Sequence, residues 1–190
     1  MSVLVTGAAG FIGFHVAKKL LQRGERVVGI DNLNHYYDVR LKEARLAKLN
    51  RYSEFSFARV DIVHRDNIFD LVEHQRDLRD IIHLAAQAGV RHSLHDPYSY
   101  IDANIMGTLV ILEAARRIDG LRGLVYASSS SVYGKNEKQP FRVADPVRAR
   151  MARSFPASTS CGTPSSVSKC RSSSCGAERR RWSTTKMSPN

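Results

Sequence analysis

Three glycines at three-residue intervals follow the first apolar run of the chain. Residues 2–6 (Ser-Val-Leu-Val-Thr) have the composition of a strand, and the three glycines come directly after it: Gly7, Gly10 and Gly13. Glycine permits a tight turn and lets the backbone approach a pyrophosphate. The helix that starts here, with Phe11 and Ile12 in its first turn, points free N–H groups and the positive end of its dipole at the phosphates. The pattern predicts a dinucleotide site.

The second apolar run, residues 27–30, is followed by the acidic residue Asp31, which lies eighteen residues after Gly13. A carboxylate at the end of a strand can accept hydrogen bonds from ribose hydroxyls. It would also repel a 2′-phosphate, and the neighbouring Asn32 and Leu33 supply no arginine to hold one. We therefore predict NAD rather than NADP. A strand-helix-strand unit without a nucleotide is the alternative, and the order of strand, glycines, amphipathic helix, second strand and acid disfavours it.

The elements that position these residues alternate along the first 130 residues. Short β-rich runs separated by helical patterns predict an α/β fold with a doubly wound parallel sheet, a Rossmann domain. Right-handed crossovers give the strand order 3-2-1-4-5, with the ligand crevice outside the carboxyl ends of strands 1 and 4. The strands are expected at 2–6, 26–30, 55–60, 80–84 and 123–128, and the helices at 11–23, 39–49, 65–76 and 98–118.

The formal net charge of +11 comes mainly from the end of the 190-residue chain. Residues 148–190 contain nine basic residues and the single acid Glu178. The sequence has no 18-residue apolar run and no signal-peptide pattern at its N-terminus, so we expect a cytoplasmic protein without a membrane partner. The histidines and the three cysteines show no metal-ligand spacing, and we predict no metal site.

Residues 148–190 also differ from the rest in composition. Serine, arginine, threonine and proline dominate, and Val167 is the only valine, isoleucine or leucine. Such a segment buries too little apolar surface to offset its ordering entropy, so we expect a disordered tail after a Rossmann domain at 1–147. The composition favours a frameshifted or truncated coding sequence. A natural basic tail that binds nucleic acid electrostatically is the alternative, and the lack of interleaved aromatic residues disfavours it.

Several segments resemble the extended short-chain dehydrogenase/reductase family, in its branch of NAD-dependent nucleotide-sugar epimerases and dehydratases. The resemblance covers residues 1 to about 147, and the stretches 31–40 and 86–91 are most similar to UDP-glucuronate 4-epimerases. The matching motifs are Gly7-Ala-Ala-Gly10-Phe-Ile-Gly13, Asp31-Asn32-Leu33, Asp61-Ile62, His83-Leu-Ala-Ala-Gln-Ala-Gly89, Asn104-Ile-Met-Gly107-Thr and Ser128-Ser-Ser-Ser-Val-Tyr-Gly134.

The resemblance implies oxidation and reduction at C4 of a nucleotide sugar through a 4-keto intermediate, with NAD⁺ as the hydride acceptor and a tyrosinate as the base. It implies that Ser129 hydrogen-bonds the reacting oxygen, with Ser131 beside it, and that Arg91 could bind the carboxylate of a glucuronate. For Arg91, a solvated cation in a loop is an equal alternative. Asp61 would hydrogen-bond the adenine. The other cofactor-side residues implied are Asn32, Ile62, Leu84, Ala85, Ala86, Asn104 and Ser128. For Asn104, a structural role is open beside a cofactor contact.

The base of this family is the tyrosine of a Tyr-x-x-x-Lys motif, which this sequence lacks. None of its seven tyrosines has a lysine four residues later. We therefore expect an inactive NAD-binding chain whose sheet is incomplete on its C-terminal side. The homodimer that the family forms through helix 98–118 and the helix after the serine motif is not expected here. Two alternatives stay open, namely an NAD-sensing module with a nucleic-acid-binding tail, and a dehydratase, decarboxylase or reductase of the same family.

Overall fold

The computed structural model describes residues 1–129. The predictions for Ser131 and for the tail at 148–190 lie outside the described residues. Within the described part, parallel strands alternate with helices, as the sequence pattern predicts. The strands are β1 (Ser2–Thr6), β2 (Arg26–Asp31), β3 (Phe55–Arg59), β4 (Leu78–His83) and β5 (Gly123–Tyr126). The helices are α1 (Phe11–Gln22), α2 (Val39–Leu49), α3 (Arg65–His74), α4 (Pro97–Tyr100) and α5 (Thr108–Ala115), with a 3₁₀ turn at His92–Leu94 and a π-helical segment at Ile101–Gly107.

The sheet has the order β3-β2-β1-β4-β5, which confirms the predicted topology. All four strand pairs are parallel, and β1 lies in the middle with β2 on one side and β4 on the other. The carboxyl ends of β2 and β4 therefore flank the glycine turn that leaves β1. This arrangement puts the end of β1 at the switch point of the sheet, where α/β proteins bind their ligands.

The two faces of the sheet carry separate apolar layers. Val3 and Val5 of β1 pack with residues of α1 and α2, whereas Leu4 packs with residues of α3 and α5. Every residue of β1 is buried, because helices cover both faces of a parallel sheet. The alternation of these side chains fixes β1 between two cores and so fixes the position of the glycine turn.

The helix predicted at 98–118 is wrong in two respects. It is divided into α4, the π-helical segment at Ile101–Gly107 and α5, and it ends at Ala115. A π-helical turn holds more residues than an α-helical turn, a widening that apolar spacing alone does not reveal. The predicted strand 80–84 is also misplaced: β4 begins at Leu78, whose buried side chain belongs to the core, and ends at His83.

Among residues 1–129, no helix is both long enough and apolar enough to cross a membrane.

Candidate functional site

The glycine turn brings the start of α1 into backbone contact with the end of β1. A β-carbon at Gly13 would lie 2.0 Å from the carbonyl oxygen of Gly7, so only glycine fits there. Gly7 has a φ of +69°, and a β-carbon on it would lie 2.9 Å from the backbone nitrogen of Ala85. The helix cap, Gly10, offers no side-chain cap, and the first turn of α1 contains no acidic residue. The first-turn N–H groups of α1 therefore suit an anion.

Asp31 ties this turn to the end of β2. Its Oδ2 accepts a hydrogen bond from the backbone nitrogen of Ala9 at 3.2 Å, and its Oδ1 accepts one from the backbone nitrogen of Leu33 at 2.9 Å. Leu33 has a φ of +55°, a left-handed conformation that is uncommon for a branched side chain. The Asp31 residue is buried. Its orientation is fixed by the backbone on both sides.

Lys42 of α2 is a site residue that the sequence argument missed. Its ammonium nitrogen lies 3.5 Å from Oδ1 of Asp31 and donates a hydrogen bond to Oδ1 of Asn34 at 2.9 Å. Only 6% of the residue is exposed. A signal for it was present, because positions 42, 46 and 49 share one face of a helix and Leu46 and Leu49 are buried there. A lysine on an apolar face is therefore expected to have a charged partner.

Asn32 and Asp61 join the ends of β2 and β3. The side-chain nitrogen of Asn32 donates to Oδ2 of Asp61 at 2.9 Å, and the backbone nitrogen of Val63 donates to Oδ1 of the same carboxylate at 3.1 Å. The structure thus gives Asp61 a definite role within the protein. Its predicted hydrogen bond to adenine stays a prediction.

Thr6 and His83, at the ends of β1 and β4, hold the loop that follows β4. The hydroxyl of Thr6 accepts hydrogen bonds from the backbone nitrogens of Leu84 and Ala85, both at 3.0 Å. Its own hydrogen must then be donated to Nδ1 of His83, which lies 2.8 Å away. His83 is therefore protonated on Nε2, which donates to the Thr108 hydroxyl at 3.2 Å. Burial lowers the pKa of His83, which favours the neutral ring over the charged one.

Asn104 holds the same loop one step further along. Its side-chain oxygen accepts from the backbone nitrogen of Gln87 at 2.8 Å, and its side-chain nitrogen donates to the backbone oxygen of Gln87 at 3.0 Å. Both backbone groups of one loop residue are thus satisfied by one amide. These contacts give Asn104 the structural role that the sequence left open beside a cofactor contact.

These elements surround a cavity of about 440 Å³ at the carboxyl edge of the sheet. That volume lies within the usual range for small-molecule sites. The cavity brings together nine of the predicted cofactor-side residues, namely Gly7, Gly10, Asp31, Asn32, Asp61, Ile62, Leu84, Ala85 and Ala86. The wall also contains residues that were not predicted for the site, among them Lys42, Gln87 and Ala103.

The other predicted residues lie elsewhere in the described part of the chain. The side chains of Phe11 and Ile12 are exposed on the first turn of α1, so only their backbone faces the turn, and Gly13 is buried inside α1. Arg91 is exposed just before the 3₁₀ turn, and Ser128 and Ser129 are exposed beyond the end of β5. The cavity wall does not include any of these residues. Among residues 1–129, no cluster of three or more histidine, cysteine, aspartate or glutamate side chains could hold a metal ion.

A family profile and curated relatives match most of this chain. Residues 4–154 match the sequence profile of the family described as GDP-mannose 4,6 dehydratase. The probable UDP-glucuronate 4-epimerase of Rhizobium meliloti is 49% identical over 148 residues, which are 76% of this chain and 42% of the relative. The chain thus spans less than half the length of this relative.

Two solved structures share the fold of the described domain. UDP-glucuronic acid 4-epimerase from Bacillus cereus, in complex with UDP-glucuronic acid and NAD, is 40% identical with a TM-score of 0.66 over 73% of this chain and 43% of that one. UDP-glucose 4-epimerase from Stenotrophomonas maltophila, with bound NAD and formylated UDP-arabinopyranose, is 31% identical with a TM-score of 0.68 over 79% and 43%. The chain belongs to the GDP-mannose 4,6 dehydratase family, within the NAD-dependent nucleotide-sugar epimerases and dehydratases of the extended short-chain dehydrogenase/reductase superfamily.

Proposed function

We propose that this chain binds NAD in the cavity at the carboxyl end of β1. The observation that carries the proposal is the glycine turn, in which Gly7 and Gly13 leave no room for a β-carbon and α1 begins without a side-chain cap. A turn of this kind lets an anionic group approach the backbone and the helix N-terminus together. The complexes of the Bacillus cereus and Stenotrophomonas maltophila enzymes with NAD support the same ligand.

The residues around the cavity match the parts of a dinucleotide. The N–H groups at the start of α1 would hold the pyrophosphate. Asp31 and Lys42, which lie 3.5 Å apart, offer an acceptor and a donor to the hydroxyls of the adenosine ribose. Ile62 and Ala103 supply apolar surface in the cavity wall for the adenine ring. Bound NAD⁺ would supply a hydride acceptor, and the chain's own residues position it.

We further propose that the fold serves a UDP-glucuronate 4-epimerase, and that the chain with the present sequence binds its cofactor without turning over a sugar. The similarity to the Rhizobium meliloti and Bacillus cereus proteins supports the substrate. The lack of any Tyr-x-x-x-Lys in the sequence supports the lack of turnover, because this motif supplies the base and the lysine that lowers its pKa. Arg91, Ser129 and Ser131 would be the sugar-side residues of this chain.

Calorimetric titration of the purified chain with NAD and with NADP tests the first proposal. We expect saturable binding of NAD, weaker binding of NADP, and loss of NAD binding in Gly13→Ala, because its new β-carbon would meet the Gly7 carbonyl at 2.0 Å. Gly123→Ala is the matched control, since a β-carbon at Gly123 would meet no atom of the described residues within 4 Å. Failure of the unsubstituted chain to bind NAD would refute the proposal.

Incubation with UDP-glucuronate and NAD, followed by chromatographic separation of the 4-epimers, tests the second proposal. We expect no epimerisation above a control without protein. Formation of the epimer by the purified chain would show that another group acts as the base.

A further inference from the structure

Two loops meet in front of β1. One follows β2 and contains Tyr36, and the other follows β4 and contains Gly89 and His92. Because β2 and β4 flank β1, a contact between these loops crosses the crevice into which the glycine turn opens. The rings of Tyr36 and His92 make such a contact, with centroids 4.9 Å apart. The crevice is therefore bridged on its outer side.

A second contact joins the same loops at Gly89. The φ of Gly89 is +98°, and a β-carbon there would lie 2.2 Å from the hydroxyl oxygen of Tyr36. The hydroxyl group of Tyr100, in α4, also reaches this point and donates to the backbone oxygens of Ala88, at 2.6 Å, and Gly89. Two tyrosine hydroxyls thus converge on a backbone position that accepts only glycine.

The His92 ring connects the two tyrosines. Its centroid lies 6.3 Å from that of Tyr100, and the Tyr36 ring also packs edge-on against Tyr37 at 4.7 Å. We call Tyr36, His92 and Tyr100 the aromatic clasp. The pKa of Tyr100 is raised, mainly by desolvation of its hydroxyl group and next by electrostatic interaction with Tyr36. Its hydroxyl group therefore stays protonated and remains a donor at neutral pH.

Of the three clasp residues, Tyr36 lines the cavity. Tyr36 and Tyr37 line it from the loop after β2, on the side of Lys42, while Ala86 and Gln87 line it from the loop after β4. The Tyr36 side chain is 37% exposed, so it lies partly in solvent at the cavity wall. A dinucleotide in the cavity would lie beneath this bridge.

We propose that the aromatic clasp is a strap across the cofactor crevice, which must open for a dinucleotide to enter or leave. This inference rests on the proposed binding of NAD. Since the clasp is closed in this structure, its opening would limit entry and exit alike. Removing it should then raise the association and dissociation rate constants by a similar factor and leave the Kd nearly unchanged. A residue that only contacts the ligand would change the dissociation rate and the Kd together.

Stopped-flow fluorescence with NADH tests this distinction on the full chain. Mixing gives the association rate constant, and a chase with excess NAD gives the dissociation rate constant. We expect both to rise about twofold to tenfold in His92→Ala, the range that one aromatic contact supports, because His92 belongs to the clasp and is not among the residues that line the cavity. Tyr98→Ala is the matched control, because Tyr98 is 79% exposed and belongs to no ring contact of the clasp.

The outcomes separate the two proposals. If the unsubstituted chain does not bind NADH, the proposed function and the strap both fail. If it binds and His92→Ala has the rate constants of Tyr98→Ala, only the strap is overturned. A weaker Kd of His92→Ala with an unchanged association rate constant would also overturn the strap, because His92 would then act only on the bound state. Tyr36→Phe, which keeps the ring beside His92, should retain slow exchange.

Discussion

Replacing Thr6 with valine removes the hydroxyl group on which three hydrogen bonds converge, while the shape of the side chain stays nearly the same. The backbone nitrogens of Leu84 and Ala85 and the Nδ1 atom of His83 all lose this partner. Thr6 is fully buried, so water does not reach its hydroxyl directly. Each buried donor left without an acceptor costs about 1–3 kcal/mol. The N–H groups of Leu84 and Ala85 are partly buried, so together they predict a loss of about 2 kcal/mol in the free energy of unfolding.

Urea unfolding followed by circular dichroism measures this loss, with Thr6→Ser as the matched control. Serine keeps the hydroxyl and removes one methyl group, which costs about 1 kcal/mol. We therefore expect Thr6→Val to be clearly less stable than Thr6→Ser, although valine is the more apolar residue. Because the loop after β4 lines the cavity, Thr6→Val should also bind NAD more weakly. Equal stabilities for Thr6→Val and the unsubstituted chain, or a larger loss for Thr6→Ser, would refute the assigned hydrogen bonds.

Three further predictions concern the same edge of the sheet. Because burial lowers the pKa of His83 below 6.5, its contribution to stability is complete above pH 6.5 and is lost as the pH falls toward the folded-state pKa. The urea midpoint of His83→Gln should therefore fall less steeply across this pH range than that of the unsubstituted chain. Lys42→Met should weaken NAD binding at least about tenfold in calorimetry and destabilise the chain, because it leaves the Asp31 carboxylate without its cation, whereas the exposed Lys48→Met should do neither. Asn104→Leu should speed hydrogen exchange of the Gln87 amide, measured by mass spectrometry, and an unchanged rate would contradict the hydrogen bond from the Gln87 backbone nitrogen to the Asn104 side chain.

The parts of the fold that depend on local pattern could be predicted from the sequence. The apolar run at residues 2–6 and the glycines that follow specify a strand and a tight turn, and the structure has both. The strand order also followed, because right-handed crossovers leave few arrangements for five strands. The prediction of one helix at 98–118 failed because the spacing of Ile101, Ile105 and Leu109 suits an α-helix. The chain instead forms a π-helical segment that includes Ile101 and Ile105.

The contacts that hold the site join residues that are distant in the sequence. Thr6 and His83 are 77 positions apart and meet because β1 and β4 are neighbours. Asn104 reaches Gln87 from a helix whose course was not predicted. No local pattern specifies such pairs, which depend on the order of the strands and the rotation of a helix. Lys42 is the exception, because its position on the buried face of α2 could be read from the spacing of Leu46 and Leu49.

The position of Lys42 changes the reason for preferring NAD to NADP. The prediction of NAD rested on the negative charge of Asp31 and on the lack of a neighbouring arginine, yet an ammonium group lies 3.5 Å from that carboxylate and offsets part of the charge. Repulsion of a 2′-phosphate by the charge of Asp31 therefore does not by itself explain a preference for NAD. The carboxylate is buried and held by the backbone nitrogens of Ala9 and Leu33, so it cannot turn aside to admit a larger group. A 2′-phosphate would bring about two negative charges to a site that holds one fixed carboxylate and one ammonium group. Under the proposed function, the fixed position of Asp31 excludes the phosphate as much as its charge does.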